Sequence, residues 1–166
     1  MKMNVFFSML ALLLCRQGIA DDQHAWGPVT NNIQMSIRAK SSVGTITTNE
    51  SVKMVICYRN ISTNEVFVTY VANGIVCDPS FSLSVIAPSG KDISPDLTKY
   101  ASESGRFMSI GPKQLAEVEF SLSSVCDLSE SGTYRITLKK QMLTPEKHTP
   151  YSIVSNTLLL RIVLGK

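Results

Sequence analysis

Two histidines, four cysteines and a scatter of serines and carboxylates are the residues of this 166-residue chain that could do chemistry. A zinc protease requires two His one helical turn apart with a Glu between them. His24 and His148 lie 124 residues apart, each among loop-forming residues. A serine nucleophile needs an adjacent base, and these same two histidines are the candidates. Pairing His148 with Cys126 or Cys57 is the remaining nucleophilic combination. No glycine-rich loop opens a helix to cradle phosphate. Asp92 and Asp96, with Ser94 between them, make an oxygen-rich loop that could hold calcium, although such carboxylates are more often merely solvated. The expectation is a chain without catalytic residues, cofactor or resident metal.

The N-terminus indicates the compartment. Lys2 precedes an apolar run from Val5 to Cys15, followed by Arg16. Its 11 residues fall well short of the about 20 needed to cross a bilayer and match the core of a secretory signal. Gly18 and Ala20 supply a small-x-small site, so residues 1–20 read as a signal peptide cleaved after Ala20. A lipoprotein signal with Cys15 as the lipidated residue is the rival, and Leu14 fits it poorly. Cleavage removes Lys2 and Arg16 and no acid, leaving 146 residues and lowering the net charge from +3 to +1. A near-neutral mature chain without a basic block gives no electrostatic case for nucleic acid or an anionic membrane. The expected location is secreted or periplasmic.

These residues must be held by strands, because a period of two runs through the chain. Ile33, Met35 and Ile37 alternate with polar residues, and Val52, Met54, Ile56 and Tyr58 form a second such row. Further strands are predicted over 65–71, 81–86, 106–110, 114–123, 133–142 and 157–164. Gly111-Pro112 suggests a hairpin between two of them. Residues 88–105 form the longest connection. The reading is one all-β, immunoglobulin-like Greek-key sandwich of seven to eight strands over residues 32–166. Residues 21–31 form a loosely held lead-in, with Trp26 and Pro28 packing over one end of the sandwich.

Cys126 to Ile136 reads C-D-L-S-E-S-G-T-Y-R-I. A Gly two residues before a strand-opening Tyr suggests a tyrosine corner, in which the Tyr134 phenol bonds back to the preceding loop. With N-I-Q-M-S-I, N-E-S-V-K-M-V-I-C-Y-R-N and V-S-N-T-L-L-L-R-I, this order resembles a group of small bacterial secreted Ig-like domains of uncharacterised function. It is also similar to the non-catalytic sandwich preceding the zinc domain of deuterolysin-like metalloendopeptidases. The resemblance covers about residues 26–163. It implies the fold, and no functional residue carries over, since the chain stops where the peptidases' catalytic domain would start. Asn49-Glu50-Ser51 and Asn60-Ile61-Ser62 match the glycosylation sequon. The resemblance points to a bacterial source, so both are read as turn residues flanking the second strand.

Three cysteines survive cleavage, Cys57, Cys77 and Cys126. In an Ig-like order Cys77 and Cys126 fall at the same end of the sandwich, and alternation turns Cys57 outward. A bridge needs Cα atoms within about 7 Å. This leaves Cys77–Cys126 with Cys57 free, or no bridge. Binding surfaces of sandwiches usually lie on end loops. The candidates are 143–152, with Lys147, His148 and Tyr151, and 88–105, with Asp92 and Asp96. Lys139, Lys140 and Lys147 add a small basic area or keep an edge strand soluble. The expected function is a non-enzymatic binding or interaction module for a protein or glycan partner. An inhibitor of an extracellular hydrolase and a structural envelope component are the alternatives.

Overall fold

Alternation of buried and exposed side chains sets the architecture. The structure, a computed structural model, describes residues 25–40, 46–48, 50–71, 78–100, 105–143 and 149–165. Its strands are β1 (Ile33–Ala39), β2 (Ile46–Thr47), β3 (Lys53–Asn60), β4 (Val66–Val71) and β5 (Phe81–Ile86). They continue with β6 (Gly105–Ile110), β7 (Leu115–Ser121), β8 (Gly132–Leu143), β9 (Pro150–Val154) and β10 (Leu158–Val163). Short 3-10 turns occur at Leu97–Tyr100 and Leu122–Ser124.

The chain folds as an immunoglobulin-like Greek-key sandwich. One sheet has the order β1-β3-β7, and the other β2-β10-β8-β5, with β9 pairing the far half of β8. Pairing is antiparallel except for β2, which runs parallel to β10. Met35, Ile56 and Tyr58 point inward from the first sheet and meet Tyr134, Ile136 and Leu138 from the second, all essentially inaccessible to water. Burial of such side chains stabilises the fold by about 1.5–3 kcal/mol each before entropy is counted.

Two strands depart from the sequence expectation. β2 is too short to leave a periodic signal. β9 occupies what reads as the end of a loop. Its Pro150 is the first residue of the strand, a position where the missing N–H costs the ladder least.

The expected hairpin at Gly111-Pro112 is also corrected. β6 and β7 do not pair with each other; β6 pairs β4 and β7 pairs β3. Registers Arg59↔Leu115 and Val66↔Ile110 show one antiparallel ribbon, interrupted by residues 60–65 on one side and 111–114 on the other. Asn60 holds the interruption and is fully buried. Its Nδ2 donates to the carbonyls of Asn64, Ile110 and Gly111 at 2.7, 2.9 and 3.1 Å. Its Oδ1 accepts from Ser62 N and Oγ. A glycan on this nitrogen is incompatible with the fold.

The lead-in is tied down over residues 25–30. Gly27 N donates to Met35 O, Ser36 Oγ to Ala25 O and Gln34 Nε2 to Gly27 O. The Trp26 ring lies 5.8 Å from the Arg59 guanidinium. A Cβ on Gly27 would stand 1.9 Å from Val154 O, so only glycine fits between β1 and β9. At the other margin, residues 91–94 run beside β5. Ile93 N donates to Val85 O, and Val85 N donates to Ser94 Oγ.

Candidate binding surface

Those of the residues singled out in the sequence that the structure describes are not gathered into one site. Lys147, His148, His24 and Cys77 lie outside the described residues. Tyr151 sits in β9, half-buried, with its hydroxyl donating to Met142 Sδ at 3.7 Å. It packs at the margin of the core and does not project from a loop tip. Asp92 Oδ1 accepts from Ser94 N at 2.9 Å, and Asp96 Oδ1 from Thr98 N and Oγ1 at 3.2 and 2.6 Å. These hydrogen bonds, the hydroxyl ones first, hold both carboxyls below their ordinary values. Their role in the structure is to shape the loop beside β5. Among the described residues no cluster of three or more His, Cys, Asp or Glu is placed to hold a metal.

Tyr134 is fully buried, and its hydroxyl donates to Glu130 O at 2.9 Å while accepting from Glu130 N at 3.0 Å. That pair of bonds closes the loop entering β8, where Gly132 (φ 136°) lies so close to Pro88 that a Cβ would stand 2.6 Å from its ring. Cys126 is a free, buried thiol, and no disulfide is found among the described residues.

Lys140 corrects the expected basic area, because it points into the core. Its ammonium is fully buried and bonds Asp78 Oδ2 at 2.8 Å and Ser80 Oγ at 2.6 Å. It also lies 4.0 Å from the centroid of the Phe81 ring. The three ammonium donors thus have an anion, a hydroxyl and a π face. Burial pulls its pKa below the ordinary value, and Asp78 partly offsets this. Nearby Tyr58 Oη is buried without a hydrogen-bond partner, and desolvation, with the Asp78 charge, pushes its pKa well up.

An end cleft of about 450 Å³ lies between the β2 turn and the loop after β7, lined by Glu50, Ser51, Ser123, Cys126, Asp127 and Ser129 among others. Its polar groups are occupied internally: Ser123 Oγ accepts from Val52 N, Asp127 Oδ1 from Ser129 N and Glu50 Oε2 from Thr47 N. Burial pushes the Cys126 thiol up to about 12, so it stays protonated at neutral pH. Among its described lining residues no His or Lys stands beside the Cys126 thiol or a serine.

The outer face of the five-stranded sheet gathers three exposed cations on two neighbouring strands. Arg135 and Lys139 of β8 and Arg161 of β10 point outward and are exposed. None of the three makes an ion pair among the described residues. Ser82 and Ser84 lie opposite Lys139 and Thr137, and Thr133 lies opposite Arg161. Outward strand positions on this face include no acid and no aromatic ring. β8 is flanked by β10 or β9 on one side and by β5 on the other, so Lys139 guards no edge. On the opposite sheet Arg38 pairs with Glu117 at 3.1 Å and Lys40 with Glu119 at 2.7 Å, while exposed Lys53 of β3 makes no ion pair among the described residues. Strand pattern alone could have found this surface, by separating outward Lys139 from inward Lys140.

No protein-family model matches the chain, and no curated protein matches it in sequence. Among solved structures, the C-terminal domain of wzt is similar at 12% identity and TM-score 0.49, over 87% of this chain and 81% of that one. The CARDB domain of PF1109 from Pyrococcus furiosus, solved with di-metal ions, is similar at 14% identity and TM-score 0.37, over 82% of this chain and 100% of that one. A β-glucosidase from Listeria innocua is similar at 10% identity and TM-score 0.39, over 78% of this chain and only 16% of the enzyme. That last likeness concerns a small part of the enzyme and says nothing of its catalysis.

Proposed function

We propose that this chain is an exported, non-enzymatic binding module that presents the outer face of its five-stranded sheet to a protein or glycan partner. The supporting observation is the row of exposed cations, Arg135, Lys139 and Arg161, on one sheet face, none with an ion pair among the described residues. The three lie together on one strand pair, whereas exposed Arg38 and Lys40 are matched by carboxylates and buried Lys140 by Asp78. Export is supported by the apolar run from Val5 to Cys15 and the small residues Gly18 and Ala20. A rigid sheet suits recognition, because its backbone needs no ordering on contact and only the Arg and Lys side chains lose rotamer freedom.

Site-specific photocrosslinkers test this reading in the native envelope. Probes replacing Ser84 or Thr137, on the proposed face, are expected to give adducts; probes replacing Lys53 or Glu119, on the opposite sheet, are not. Adducts from neither face, or equally from both, would overturn it.

A further inference from the structure

We infer that the partner of the five-stranded face is an acidic polysaccharide, a linear chain of carboxylated or sulfated sugars. This rests on the binding-module reading and specifies its ligand. The first argument is charge. Arg161 lies beside Thr133, two residues before Arg135 on β8, and Lys139 follows four residues later. At about 3.4 Å per residue, the three cations span roughly 20 Å along β8. They form a strip, which suits an extended polymer better than a compact anion. No acid stands at the outward strand positions of this face. Exposed Asp92 lies beyond Ile86 at the margin, with its Oδ1 accepting from Ser94 N. None of the three cations makes an ion pair among the described residues, which leaves them to a ligand carboxylate or sulfate.

The second argument is what surrounds the cations. Ser82, Ser84, Thr133 and Thr157 are exposed and Thr137 is half-buried, and Gln141 continues the row beyond Lys139. Thr137 and Thr157 hydroxyls stand 3.3 Å apart across the strand pair. Such groups both donate and accept, as a polyhydroxyl chain requires. The centre of a protein–protein interface is enriched in aromatic side chains, Met and Arg and depleted in Ser and Lys. This face carries Ser, Thr and Lys and no aromatic ring or Met at its outward strand positions. Its apolar members include Ile86 and Leu159 beside Arg135, Val154 beside Lys139 and Leu143 at the end of β8. Single-stranded nucleic acid calls for aromatic platforms on which bases stack, and none is present at these outward positions.

Binding of the mature protein to polygalacturonate, heparin and neutral dextran tests the inference, with the triple variant R135S/K139S/R161S as the probe of the face. A second triple variant, K53S/K91S/K99S, removes the same charge from exposed positions elsewhere. The wild type is expected to bind at least one acidic polymer and not dextran. Affinity should collapse towards about 1 M salt, where the Debye length is about 3 Å. The face variant should lose about tenfold or more and the control variant less than about twofold. Equal losses in both variants would reduce the effect to net charge and overturn the inference. Absence of binding to either acidic polymer would also overturn it; crosslinks from positions 84 and 137 to a protein would then leave the broader reading standing, and their absence would remove that as well.

Discussion

Arg38 reaches across the central strand of the three-stranded sheet to Glu117, its Nη2 lying 3.1 and 3.2 Å from the two carboxylate oxygens. β1 and β7 are not neighbours, so the pair spans β3 from above. Beside it, Lys40 reaches Glu119 in the same way. Val55 and Cys57 point outward from β3 yet are each only 2% exposed. Cys57 Sγ donates to Glu117 Oε1 at 3.4 Å. Burial first, and the Glu117 charge second, push this thiol up to about 11.

Removing the strap should therefore uncover the thiol. In Glu117→Ala, labelling of Cys57 by a thiol reagent at pH 8 is expected to accelerate by about tenfold or more, since access and thiolate fraction both rise. Both partners are partly exposed, so the stability cost should stay within about 1 kcal/mol. An unchanged labelling rate would show that the strap does not shield the sulfur.

With the cysteines reduced, stability should fall on the alkaline side. Unfolded thiols ionise near pH 9, whereas folded Cys57 and Cys126 hold their protons to about 11 and about 12. Between these limits the unfolded chain binds fewer protons, so each thiol removes about 1.4 kcal/mol per pH unit as pH rises. Lys140, pulled below its ordinary value, acts in the opposite sense in the alkaline range. Urea titrations of wild type and Cys57→Ser/Cys126→Ser from pH 8 to pH 11 should show the steeper decline in wild type.

The buried ion pair should be costly to break from one side and tolerant of joint replacement. Lys140→Met leaves Asp78 buried with its charge uncompensated and should cost about 3–5 kcal/mol. Lys140→Met/Asp78→Asn should recover a large part of that loss, read as the denaturant midpoint. A double variant no more stable than the single one would show that the network acts through packing alone.

Asn60→Ala should cost about 2–4 kcal/mol, because carbonyls of Asn64, Ile110 and Gly111 lose their shared donor in a buried site. Hydrogen exchange should rise at β4 and β6 before it rises in β8. Tyr134→Phe should cost about 1–3 kcal/mol through the stranded Glu130 backbone. Equilibrium unfolding measures both.

The sequence carried the strands wherever one face is packed and the other wet. β5, β8 and β10 alternate for that reason and are legible residue by residue. The same alternation places Lys140 between Leu138 and Met142 on the inward side, but its charge suggested a surface position. What made the inward position tolerable, Asp78 and Ser80, comes from 60 residues away and leaves no local trace. The Gly111-Pro112 turn was legible, but the partners of the strands it joins were not, since ribbon continuity depends on pairings between residues far apart in the chain, such as Val66 with Ile110 and Arg59 with Leu115. The cation row on β8 and β10 needed the β-register as well, because Arg161 joins Arg135 and Lys139 only through pairing.

The segment running beside β5 has a consequence for how molecules meet. By consuming Val85 N–H and C=O, residues 93 and 94 deny that margin to an incoming strand. Asp92 makes this possible by fixing Ser94. Copies of the domain therefore meet an occupied ladder position at Val85 when they approach this side edge-on, which discourages strand addition at high local concentration. Loosening the turn by Asp92→Ala should surface as slow concentration-dependent aggregation more than as lost thermal stability.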